Sequence, residues 1–178
     1  MTGSSGRILK MSYAGICLAL GMILPIFTGQ IPEIGSMLSP MHIPVLLCGF
    51  ICGPSWGAAV GFISPLLRYM LFGMPAMPTG LAMAFELFTY GLISGLLYKL
   101  LPKKPAFVYV SLIIAMIIGR VVWGIARYAI AGVSGAAFTY AMFIAGAVTN
   151  AIPGIILHII LIPLIVIALQ KAKLIPEK

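Results

Sequence analysis

Charge is what this sequence has least of. Its 178 residues include 11 Lys and Arg, 3 Glu and no Asp. A soluble domain carries roughly a quarter charged residues, so water cannot be the main solvent here. Mean hydropathy is +1.16, which makes the chain an integral membrane protein. Scarce charge also excludes disorder, and 3 Cys, an odd number, exclude a full disulfide framework. The net charge of +8 is spread over separate loops, so no nucleic-acid partner is expected. There is no G-x-x-x-x-G-K-[ST] for ATP and no H-E-x-x-H for zinc. Cys48 and Cys52 sit four apart near His42, but soft-metal sites gather more ligands. No metal, no cofactor and no enzymatic activity are expected.

A bilayer core needs about 20 apolar residues per helix. The apolar runs predict an all-α polytopic membrane protein with six transmembrane helices, at 9–28, 42–52, 57–73, 81–101, 106–130 and 140–169. Residues 9–170 form one domain. Residues 1–8 are expected as a disordered or cytoplasmic terminus, and 171–178 as a basic cytoplasmic tail. Span 2 is too short to cross alone. Either it continues through 37–41 or its outer end stops below the surface, with the loop at 29–41 folding over the membrane.

Arg7, Lys10, Lys99, Lys103, Lys104, Lys171, Lys173 and Lys178 all fall on one side of a six-span topology. By the positive-inside rule that side is cytoplasmic and holds both termini. A multi-pass location in the cell membrane and a prokaryotic origin are expected.

Arg68, Arg120, Arg127 and Glu86 remain, within the spans. A charge at the bilayer centre costs about 2.5–3.5 kcal/mol on insertion scales. In this topology all four lie in the outer half, with Asn150, which suggests a polar chamber reached from outside. Helical phase puts Glu86, Tyr90 and Ser94 on one stripe, Arg120, Trp123 and Arg127 on another, and Asn150, Gly154 and His158 on a third. Guanidinium, ring and amide groups together suit a small-molecule site. The competing readings are bland. Arg127 snorkels to the surface; Arg120 only ties spans 4 and 5 together through Glu86; His158 is a packing residue; His42 is interfacial.

Several motifs resemble the substrate-binding S components of energy-coupling factor (ECF) vitamin transporters. They are H-I-P-V-L-L-x-G at 42–49, G-P-x-W-G at 53–57, F-E-L-x-T-Y-G-L-x-x-G-L-L-Y at 85–98 and N-A-I-P-G-I-I-L at 150–157. The resemblance implies capture of a vitamin or cofactor precursor from outside. It also implies association with a transmembrane coupling protein and two cytoplasmic ATPases, with the S component toppling in the bilayer. Carried onto this chain, the substrate contacts are Glu86, Tyr90, Arg120, Trp123, Arg127 and Asn150, under a lid at residues 30–41. His158, Arg68 and His42 complete the candidate set. Small residues in span 1 dock on the coupling protein in such proteins; here Gly15 and Ala19 have the spacing, with Ala14 adjacent. Three Arg against one Glu lean the ligand toward a carboxylate or phosphate such as pantothenate, and Trp123 toward a pyridoxine-like or other heteroaromatic ring. The alternative is a stand-alone proton-coupled carrier that uses Glu86.

Overall fold

A computed structural model describes residues 4–27, 37–135, 137–172 and 175. Among them there is no strand. Seven α-helices follow in order: α1 (Ser4–Phe27), α2 (His42–Cys52), α3 (Pro54–Phe72), α4 (Met77–Leu100), α5 (Pro105–Ser134), α6 (Tyr140–Ala147) and α7 (Ile152–Lys171). A 3-10 turn, Thr149–Ala151, links α6 to α7. Four stretches are long and apolar enough to cross a membrane: Gly6–Phe27, Met77–Leu100, Pro105–Ser134 and Tyr140–Lys171.

The short second span is the centre of the bundle. Its 11 residues rise about 16 Å, half of a bilayer core. Ten of them are buried, so α2 is apolar all round because protein surrounds it. It starts at His42 and does not continue through 37–41. Before it, the Ser39 carbonyl accepts from the His42 amide at 3.0 Å.

α2 and α3 are joined by Gly53 alone, at φ 94°. A side chain there would be strained, and Pro54 follows with its φ already helical. This turn folds α3 back along α2, and α4 lies against both. Glycines set the spacing. A Cβ on Gly57 would stand 2.6 Å from the Gly91 carbonyl oxygen and 2.7 Å from the Gly49 Cα. The three helices therefore meet backbone to backbone.

α5 is longer than the apolar run suggests. It continues through Ser134 and ends at Gly135, φ 69°, whose amide bonds the Ala131 carbonyl. The loop expected at 131–139 shrinks to the residues after that cap. Span 6 breaks in two, at Val148 and the 3-10 turn, before Pro153 opens α7.

At the end where Lys99 and Lys103 lie, Gln170 Nε2 donates to Tyr98 Oη at 2.7 Å. Lys103 Nζ sits 3.6 Å from the centroid of the Tyr98 ring and bonds the Tyr98 carbonyl. Phe50 packs edge-on against the same ring at 5.3 Å. This knot ties α2, α4 and α7 at one end and closes the bundle there.

Candidate functional site

Glu86 lies two and a half turns into α4, with 1% of its surface exposed. Around it four helices converge. Arg120 of α5 places Nη1 2.9 Å from Glu86 Oε1. Tyr90, one turn along α4, donates its hydroxyl to the same oxygen at 3.0 Å. His42, at the start of α2, brings Nε2 to 3.5 Å from it, the edge of hydrogen-bond reach. His158 of α7 stacks on His42, with centroids 5.8 Å apart. Both imidazoles are buried, so the interfacial reading of His42 is corrected: its helix starts inside the bundle.

Small residues permit this convergence. Tyr90 can lie flat on α5 because position 119 is glycine; a Cβ there would overlap the ring. The chain leading into α2 sits directly on α7, where a Cβ on Gly154 would stand 2.6 Å from the Met37 carbonyl. His158 is hydrogen-bonded to the Ser39 backbone just below that contact. The end of the first loop is thus fixed to the cluster by His158. Residues 30–36 of the expected lid lie outside the described residues.

The cluster holds one acid and one guanidinium, so its formal charge cancels. It is short of hydrogen bonds, however. His42 Nδ1, His158 Nε2 and Arg120 Nε are buried with no partner. Buried polar atoms are nearly always paired, and an unpaired one costs about 1–3 kcal/mol. Such atoms gathered in one place are donors and acceptors that a bound polar group could satisfy.

Trp123 and Arg127 stand one and two turns farther along the Arg120 face of α5. Trp123 is wedged among Phe138 at 6.0 Å, Phe143 at 6.3 Å and Gly146. Arg127 Nη1 donates to Thr79 Oγ1 at 3.2 Å, and its guanidinium lies 5.5 Å from the Phe138 centroid. Thr79 is absent from the expected set. The signal for it was Pro78, which starts a helix and puts the next residue in the first turn of α4.

Two candidates go elsewhere. Asn150 is exposed; the shared stripe with Gly154 and His158 assumed an unbroken helix, and the 3-10 turn rotates it off that face. Arg68, 4% exposed, turns toward α1 instead. Pro25 of α1 lacks an amide for the Gly21 carbonyl and opens the preceding turn. The Met22 carbonyl of α1 accepts from Arg68 Nη1 at 2.9 Å. On α1, Ala14 is buried against the core, whereas Gly15 and Ala19 are exposed. Nothing lies within 4 Å of where a Gly15 Cβ would be. Cys17, Cys48 and Cys52 are free, buried thiols. Among the described residues no group of three His, Cys, Asp or Glu could hold a metal ion.

No curated protein and no solved structure matches the chain. The family described as ECF transporter, substrate-specific component, matches residues 9–166. That stretch runs from α1 almost to the end of α7 and contains every residue of the Glu86 cluster. The chain therefore belongs to the family of ECF transporter substrate-specific components, membrane-embedded parts of transporters rather than enzymes.

Proposed function

We propose that this chain captures a vitamin or cofactor precursor from the outer side of the cell membrane and presents it to an importer. The importer is completed by a transmembrane coupling protein and two cytoplasmic ATPases. Both termini are cytoplasmic in this reading, which the run of basic residues supports. The binding residues are His42, Glu86, Tyr90, Arg120 and His158, with Trp123 and Arg127 above them. One observation carries the reading. A Glu–Arg pair is buried beside three unpartnered polar nitrogens. Pantothenate and pyridoxine-like compounds remain the candidate solutes.

Docking on the coupling protein falls to Gly15 and Ala19. They are small and open on the outside of α1, so another helix can approach closely there. Ala14 is covered and serves the chain's own packing.

The test is calorimetry of the detergent-purified protein against a vitamin panel, without ATP. One compound is expected to bind tightly, and Glu86→Gln and Arg120→Ala to abolish its binding. Ala19→Leu should leave binding intact and prevent copurification with the coupling protein. Failure to bind any compound of a broad panel would overturn the proposal. Proton-driven uptake by the lone protein in liposomes would favour the carrier reading instead.

A further inference from the structure

The two arginines on the site face of α5 differ in how their charge is met. Arg120 is compensated by Glu86 at 2.9 Å. Among the described residues no acid stands beside Arg127: Thr79 and the Phe138 ring hold it, and its Nε is buried without a partner. A hydroxyl and a ring orient a guanidinium but do not neutralise it. α5 also runs seven residues beyond Arg127, so the side chain sits within the helix and not at its end. An uncompensated cation within a membrane span is costly, and an incoming anion would remove that cost.

Distance adds a second constraint. Arg120 and Arg127 are seven residues apart on one helix face, about 10 Å of rise, with Trp123 between them. At the Arg120 end the charge is already balanced. What is unmet there is hydrogen bonding, at His42 Nδ1, His158 Nε2 and Arg120 Nε. That end suits uncharged hydroxyl or amide groups.

We infer that the solute is an elongated monoanion, held at two points about 10 Å apart. Its carboxylate or phosphate lies against Arg127 and Thr79, and its hydroxyl or amide end against the Glu86–Arg120–His42–His158 cluster. The inference rests on the capture reading above. Of the two candidates named there, pantothenate has this form and pyridoxine, a single uncharged-ended ring, does not.

A lipid headgroup also offers anionic oxygens, so the test must tell the two sources apart. The full chain is purified in a non-ionic detergent without added lipid, and bound small molecules are released and identified by mass spectrometry. The expected finding is an extended compound with one carboxylate or phosphate and a hydroxyl or amide end. A neutral, cationic or single-ring compound would overturn the inference and leave the capture reading standing. Recovery of no small molecule, with no binding from the panel, would sink the capture reading itself. A phospholipid alone, lost in Arg127→Gln, would assign the guanidinium to a headgroup and also overturn the inference.

Calorimetry with the recovered compound and its counterpart bearing an alcohol in place of the anion completes the test. Arg127→Gln should weaken the anion on the order of 100-fold and the alcohol only a few-fold. Arg127→Lys, which keeps the charge but not the fork, should fall between wild type and Arg127→Gln. Equal losses for anion and alcohol would make Arg127 a structural residue and end the proposal. Should Arg127→Gln not fold, Arg127→Lys and Thr79→Val carry the same comparison.

Discussion

Helices α2, α3 and α4 touch through their backbones, whereas α5 and α6 touch largely through rings. In the first group Gly49, Gly57 and Gly91 leave no room for a single methyl. In the second, Trp123 and Phe143 lie over Gly146 and Gly124. A backbone contact cannot yield without moving a helix; a ring can turn. The backbone-packed half supplies Glu86, Tyr90 and His42 on a fixed frame. The ring-packed half supplies Arg120, Trp123 and Arg127 on a frame whose rings can turn.

The largest effect expected within this comparison is on Glu86. Glu86→Gln leaves Arg120 buried without its counter-charge, at about 3–5 kcal/mol. Thermal unfolding in detergent should show it. The double variant Glu86→Gln with Arg120→Gln should recover most of that stability and still bind no solute. If it binds, the pair is only a strut between α4 and α5.

Next come two identical changes, one in each half. Gly57→Ala drives a methyl to 2.6 Å from a backbone oxygen, and Gly146→Ala to 2.6 Å from the far edge of the Trp123 ring. Overpacking costs about 1–3 kcal/mol; Gly57→Ala should fall at the upper end and Gly146→Ala at the lower. Equal melting temperatures would break the contrast between a rigid and an adjustable half.

Two smaller effects sharpen it. Gln170→Leu removes the hydrogen bond to Tyr98 at the closed end and should cost about 1 kcal/mol, without changing solute affinity. Thr79→Val removes the neutral anchor of Arg127. It should lower stability by about 0.5–1.5 kcal/mol and weaken an anionic solute several-fold in calorimetry.

Regular helices were readable one face at a time. Glu86, Tyr90 and Ser94 all turn inward, because α4 keeps its 3.6-residue period through that stretch. Asn150 was misplaced for the opposite reason: a one-turn break before Pro153 resets the phase, and hydropathy does not register it. The stacking of His42 on His158 joins residues 116 positions apart, beyond the reach of any local pattern. Arg68 is charged and buried, which puts it in the expected site, but its partner is the Met22 carbonyl of another helix, 46 positions away.

Composition alone made this a membrane protein, since so few charges cannot solvate 178 residues, and its motifs named the family. Which charge meets which was settled only by folding. Coulomb attraction grows as two charges approach, and only the packing of four helices brings Glu86 within 2.9 Å of Arg120 while, among the described residues, leaving no acid beside Arg127.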